Sequence, residues 1–539
     1  MPSSKRKFFI LELLGKKQNL KFALLAGGIA GLLISYLILS YLLSGPSKGM
    51  IKIIKESERV SADLTDYLNG LPQTTDTQLK KSFDQAYSWY ELGKYPEAIA
   101  AFNACLQMKV EDKERVALLL LTGNCYFLLG NIPEAESQYR RAWVFADRIK
   151  DESAQSAVWS NLGLVYQSKS SLDTAQSLHQ SALYVYKKRG NKKEEAIQLS
   201  CLGMILQTVQ NFDAAKSYHQ EAMRIFKEIN YPLGEINQLS NLGWIYQVRQ
   251  NYDSSLIYYQ EALKVSKKIG FSEGEANQQS NIGLVYQNKG DFDMALDYYR
   301  QAMEIDKQTH FKEGEAQDRL TIGWAYELKG DFDEAINQYK GSVKINQKIG
   351  FQQGEAAART SLARVYQRQK DTDGALIELN KALVINGEMG NKRGEADRLQ
   401  AIGQLYKIKG EADSALQSYQ EAVKIYRDLG DKSGEARQLN FIGQILRNQG
   451  NSKDALASYQ QALILTQTNQ DRYGEASTLS NIAYIYVTQG ESQKAMENLN
   501  LSMKIFRELG KQTEADRVAE NIKMVEGMLK QDTTTTKNQ

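Results

Sequence analysis

Residues 275–314 read EANQQSNIGLVYQNKGDFDMALDYYRQAMEIDKQTHFKEG. Forty residues on, the punctuation returns: Gly283 becomes Gly323, Tyr286 becomes Tyr326, Gly290 becomes Gly330 and Ala295 becomes Ala335. Forty residues back stand Gly243, Tyr246 and Leu256, with Ser255 in the alanine slot. A fixed period of about 20–50 residues is the mark of a solenoid or array. Each unit splits into two helical stretches. Apolar residues fall at Ile282, Leu284, Val285 and Tyr286, then at Ala295, Leu296, Tyr299, Ala302 and Ile305, a helical and not a strand spacing. Glycine closes each stretch because it enters the left-handed conformation cheaply, and Asp291 or Asp293 can cap the helix that follows. The unit is a helical hairpin.

The register extends far in both directions. A first unit from Leu79 shows Ala86, Trp89, Gly93, Ala98 and Phe102; the next shows Gly123, Tyr126, Gly130, Ala135, Tyr139 and Ala142. Thereafter the period holds at 40, with a first-helix line of Gly123, Gly163, Gly203, Gly243, Gly283, Gly323, Ala363, Gly403, Gly443 and Ala483. The small line of the second helix runs Ala135, Ala175, Ala215, Ser255, Ala295, Ala335, Ala375, Ala415, Ala455 and Ala495. Eleven units result, over residues 79–510. A closing amphipathic helix is expected over 511–530, its Val518, Ile522, Val525 and Leu529 covering the exposed end of the stack. Residues 531–539 (QDTTTTKNQ) cannot bury apolar surface and read as a disordered tail.

A chain of 539 residues exceeds one ordinary core, but an array needs none. Its six prolines end at Pro232, which suits helices joined by glycine turns. The formal net charge of +3 hides an asymmetry: residues 1–55 carry nine Lys or Arg and one acid, and the remainder holds 58 bases against 63 acids. The array is mildly acidic, so nucleic acid is not expected as a partner. Three cysteines, Cys105, Cys125 and Cys201, make no disulfide framework.

Phe22 to Leu43 is a run of 22 residues without a charge, about 33 Å as a helix. That spans a hydrocarbon core of about 30 Å, so residues 22–43 read as a transmembrane helix and signal anchor. A short basic segment, 1–21, precedes it; a juxtamembrane amphipathic helix and linker, 44–78, follow. Six Lys or Arg lie before the span and four just after (Lys48, Lys52, Lys55 and Arg59). This bias places the N-terminus in the cytoplasm and the array outside it, in the periplasm if the cell is Gram-negative. Gly27 and Gly31 form a GxxxG pair able to support a homodimer.

The order W-x2-L-G-x2-Y followed by A-x3-F/Y-x2-A resembles the tetratricopeptide repeat. The third unit displays it as Trp159, Leu162, Gly163, Tyr166, Ala175 and Ala182. The usual period of that family is about 34 residues. Here the unit is six longer, and Gly-x-x-x-Gly-Glu-Ala, as in Gly270–Ala276, Gly350–Ala356 and Gly430–Ala436, stands where the closing proline would be. This longer form is similar to arrays in Pins-type adaptors and bacterial membrane-anchored repeat proteins, and more distantly to kinesin light chains. The Gα-binding role of Pins-type adaptors is not expected to carry over to this chain. The resemblance implies an all-α, right-handed solenoid of eleven hairpins plus the capping helix, with the first helices lining a concave, partner-binding groove.

Residues matching lining positions form two polar lines. One is Asn161, Cys201, Asn241, Asn281, Thr321, Ser361 and Asn481; the other is Gln167, Gln207, Gln247, Gln287, Glu327, Gln367, Lys407 and Arg447. Amides donate and accept, so they either pair with the backbone of an extended peptide or bond to neighbouring repeats and order the stack. Trp244 and Trp324 fall on the same face two units apart, and either bind a partner's apolar group or pack between first helices. Arg364, Arg368, Lys407, Arg437 and Arg447 replace neutral residues of earlier units, which suits acidic side chains or a carboxylate; solvated charge is the plainer reading. His179 and His219 occupy the slot of Tyr259, Tyr299 and Tyr339 as core aromatics, with no ligand partner at metal spacing.

No triad and no phosphate-cradling loop is assembled, so neither catalysis nor a cofactor is expected. The sequence therefore points to a single-pass membrane scaffold that gathers protein or peptide partners in its groove. A peptide-responsive sensor is the first alternative and an enzyme subunit the second.

Overall fold

The computed structural model describes residues 77–535, and among these every regular element is a helix. Twenty-three helices form eleven hairpins and a closing helix. The first hairpin joins α1 (Thr77–Glu91) to α2 (Tyr95–Leu106), the second α3 (Asp112–Leu128) to α4 (Ile132–Arg148). From there each hairpin starts 40 residues after the last: α5 (Glu152–Ser168) and α6 (Leu172–Arg189), α7 (Lys192–Thr208) and α8 (Phe212–Glu228), α9 (Pro232–Val248) and α10 (Tyr252–Lys268). Helix α11 (Ser272–Lys289) contains Val285 and Tyr286, the boundary between two compact units. The second unit continues with α12 (Phe292–Gln308), α13 (Lys312–Lys329), α14 (Phe332–Ile349), α15 (Gln352–Arg368) and α16 (Thr372–Glu388). It ends with α17 (Lys392–Lys409), α18 (Ala412–Asp428), α19 (Lys432–Asn448), α20 (Ser452–Thr468), α21 (Arg472–Thr488), α22 (Ser492–Glu508) and α23 (Gln512–Thr535).

The eleven hairpins match the count read from the sequence. The membrane span expected over 22–43, the Gly27–Gly31 pair and the segments 1–21 and 44–76 lie outside the described residues. Among the described residues no helix is long and apolar enough to cross a membrane. Helix α23 differs from expectation at its end: it continues to Thr535, five residues into the stretch read as a tail. No glycine or proline interrupts residues 530–535, so nothing in the chain stops the helix at Lys530. Val518, Ile522 and Val525 of α23 are buried with Ala476, Leu479 and Leu499, closing the stack as a cap should.

Two local rules build the hairpin. The first is a ring set against a glycine. The Tyr139 ring of α4 lies so close to Gly123 of α3 that a methyl there would stand 2.4 Å from it, and Tyr459 leaves 2.6 Å at Gly443. Where the first helix carries alanine instead, the ring is gone: Ala363 faces Leu379 and Ala483 faces Leu499, in the same buried clusters. Each slot thus keeps its volume, because a packed interior tolerates neither a void nor an overlap. The second rule is the turn. From Gly130 to Gly510 a residue with positive φ recurs every 20 residues, glycine at twelve of these positions and another residue at eight. At Gly330 (φ 90°) the amide of Asp331 returns to Tyr326 O at 2.9 Å, closing α13, and Asp331 Oδ1 accepts from Glu334 N at 3.3 Å, opening α14. Asp291 performs the same cap for Met294 N at 3.2 Å, as read from the sequence. His310 (φ 58°) holds one of the turn positions.

Within unit one a polar ladder ties successive hairpins together. His179 Nδ1 meets Gln198 Oε1 at 2.8 Å, and Gln198 Nε2 donates to Ser160 Oγ at 2.8 Å. One repeat later His219, Gln238 and Ser200 do the same, at 2.8 and 3.0 Å. Both histidines are fully buried, and burial pulls each imidazole down to about 4 against the raising effect of its glutamine. They are neutral core rings, as their slot implied.

Candidate functional site

In each unit, successive first helices touch one another along one side, and the residues exposed there come from fixed places in the repeat. A residue near the end of one first helix meets a residue one turn earlier on the next, 37 residues on. In unit two this register makes three contacts. Glu327 of α13 meets Arg364 of α15, Lys407 of α17 donates to Gln444 Oε1 of α19, and Arg447 of α19 lies 4.4 Å over the Tyr484 ring of α21.

The first contact is the most elaborate. Glu327 is buried, 2% exposed, although it is ionisable. Arg364 grips it with Nε at 2.9 Å from Oε1 and Nη2 at 2.8 Å from Oε2, the forked geometry that suits a guanidinium to a carboxylate. Arg368 Nε stands 3.3 Å from Oε1, and the Tyr339 hydroxyl donates to Oε2 at 3.0 Å. Burial and the Glu327 carboxylate both push the Tyr339 phenol far above its ordinary range. Both arginine side chains remain 47% exposed, whereas the acid they share is buried.

Lys407 and Arg447 differ. Neither has a carboxylate partner among the described residues; an amide and an aromatic face hold them instead. Arg437 is exposed on α19 and acts on the Tyr426 hydroxyl, which donates to Asp397 Oδ1 at 2.6 Å. Gln367 is exposed at the end of α15. The five cations of the sequence reading are therefore unequal: Arg364 and Arg368 share an acid, Arg437 lies near another, and Lys407 and Arg447 are uncompensated.

The amides divide as well. Gln247 and Gln287 are buried, and each accepts from the ring hydroxyl of its own hairpin, Tyr259 at 3.2 Å and Tyr299 at 3.3 Å. Asn281 donates to Gln278 Oε1 at 3.4 Å, and Asn241 offers its backbone carbonyl to Gln207 Nε2 at 3.5 Å. Gln247 and Gln287 thus tie together the two helices of their own hairpins. Trp244 is half-buried in unit one, edge-on to Phe212 with centroids 6.0 Å apart; Trp324 is half-buried in unit two. Each tryptophan belongs to the face of its own unit. Glu327 was visible as the single acid in a line of amides and cations. Its role was hidden because its partner sits 37 residues on, not 40. Among the described residues, no cluster of three or more His, Cys, Asp or Glu could hold a metal ion.

The family model of the tetratricopeptide repeat matches residues 154–228, 193–268, 274–348, 354–428 and 435–508, and a second tetratricopeptide repeat model matches 83–152. No curated protein matches the chain by sequence. Among solved structures, the chain is similar to a signal transduction ATPase with numerous domains and a tetratricopeptide repeat sensor from Pyrococcus horikoshii. Identity is 15%, with 69% of this chain and 66% of that one covered, at a TM-score of 0.43. It is also similar to a Rap protein crystallised with competence and sporulation factor (13% identity, 66% and 99% covered, TM-score 0.41). A third similar structure is BtubC from P. vanneervenii (20% identity, 44% and 93% covered, TM-score 0.34).

Proposed function

Because this chain belongs to the tetratricopeptide repeat family, we propose that it is a binding scaffold whose first-helix faces hold protein or peptide partners. Its apolar run at 22–43 anchors it to a membrane, with the array on the extracytoplasmic side. One observation carries the binding reading furthest: Lys407 and Arg447 are cations on the first-helix face of unit two with no carboxylate of their own. A charge left in this state costs little in solvent and gains most when a partner supplies the opposite sign. The segment that fits this face is therefore acidic. Gln287 lies buried in this unit and accepts from Tyr299, so recognition rests on charge and exposed rings more than on backbone pairing.

The test uses the full chain in detergent and a fluorescein-labelled oligoglutamate peptide, read by anisotropy. Lys407→Glu with Arg447→Glu is expected to weaken binding by roughly tenfold or more, as for reversal of two interfacial charges. Unchanged affinity in a variant of unchanged helicity would overturn the acidic-segment reading.

A further inference from the structure

Glu327 holds two arginines of the next hairpin as well as the ring hydroxyl of its own. Along unit two the late positions of the first helices carry Gln287, Glu327, Gln367, Lys407 and Arg447. Resting on the reading that an acidic segment docks on this face, we propose that Glu327 is a built-in competitor for that segment, setting how strongly the face takes it.

The geometry supplies each part of the argument. Glu327 receives the Nε and Nη2 groups of Arg364 and the Nε of Arg368, the same donors a partner carboxylate would seek. No other carboxylate reaches either arginine among the described residues. Both arginine side chains are half-exposed beside a buried acid, so a partner can reach them from the open side while Glu327 holds them from within. Two arginines against one glutamate leave one net positive charge at this end of the strip. Removing the acid's charge would leave two.

A purely structural role for the carboxylate is weakened by the neighbouring hairpins. There Gln247 and Gln287 occupy the same slot and accept the same ring hydroxyl, from Tyr259 and Tyr299, as Glu327 does from Tyr339. An amide thus satisfies the hairpin. What the carboxylate adds is its hold on the two arginines.

The measurement is oligoglutamate anisotropy on the full chain carrying Glu327→Gln, beside Glu304→Gln on the exposed face of α12 as a control for net charge. The expected result is that Glu327→Gln tightens binding roughly threefold to tenfold, the worth of freeing two half-exposed cations, while Glu304→Gln leaves it unchanged. Equal gains in both variants, no gain, or a loss in Glu327→Gln would overturn the proposal. If Lys407→Glu with Arg447→Glu weakens binding while Glu327→Gln changes nothing, the acidic-segment reading stands and the competitor fails alone. If neither the natural chain nor Glu327→Gln takes the peptide, both fail. Circular dichroism of each variant establishes that a loss is not unfolding.

Discussion

A methyl group on Gly443 would collide with the Tyr459 ring, because the ring fills the space a Cβ needs. Gly443→Ala is expected to destabilise unit two by about 1–3 kcal/mol, the cost of overpacking a close-packed interior. Adding Tyr459→Leu should recover part of that loss, since alanine facing leucine is the arrangement already present at Ala363 and Leu379. Urea unfolding followed by circular dichroism checks the non-additivity; strictly additive effects would refute the pairing rule. The histidines give a pH prediction. Their folded imidazoles sit at about 4, below the ordinary value near 6.5. Between those values the unfolded chain binds more protons, so stability is complete above about pH 6.5 and is lost as pH falls towards 4. At pH 5 the loss is about 2 kcal/mol for each ring. His179→Tyr with His219→Tyr, the residue of the same slot elsewhere, should flatten the dependence of the urea midpoint between pH 7 and 5. At this scale the sequence disclosed the glycine line and the core position of the two histidines. It did not disclose that Gln247 and Gln287 are tied to Tyr259 and Tyr299, because a hydrogen bond to the next helix leaves no periodic trace of its own.

At the scale of the helix, the turn positions decide length. Gly330 (φ 90°) would bring a Cβ near no other atom, so the cost of Gly330→Ala is conformational alone. It is expected at about 1–2 kcal/mol for a side chain forced into the left-handed region. Hydrogen exchange should show it as faster opening at the end of α13 and the start of α14. Lys370 (φ 62°) already bears such strain, and Lys370→Gly should slow exchange at the corresponding junction. Helix boundaries were legible because Asn, Asp and Gly mark them at fixed intervals. The continuation of α23 to Thr535 was not, since threonine-rich polar sequence resembles a tail whether or not a helix runs through it.

At the scale of the whole molecule, the two units share one construction and present different surfaces. The first-helix face of unit one carries Trp244, and that of unit two carries Trp324 and the cations of α15, α17 and α19. The proposed topology has its own test: a reporter fused after Gln539, active only outside the cytoplasm, is expected to be active. Activity of its cytoplasm-specific counterpart instead would place the array inside the cell and overturn the proposed localisation. The fold was readable from periodicity alone, because each repeat restates the same constraints. The candidate site was only half readable, since the contacts of Glu327, Lys407 and Arg447 run at 37 residues and are invisible when units are aligned at 40.

That difference bears on how such a chain can change its length. The ring and its glycine lie within one hairpin, 16 residues apart in sequence, as Gly123 and Tyr139 do. The clamp on Glu327 joins two hairpins. Loss or duplication of an in-phase 40-residue block leaves every retained hairpin with its own internal lock, yet it remakes whatever stands at the new junction. Gene rearrangement can therefore lengthen or shorten the array in whole steps without unfolding it, and each step rewrites the surface charge at one seam. Recognition can evolve by recombination while the architecture stays constant.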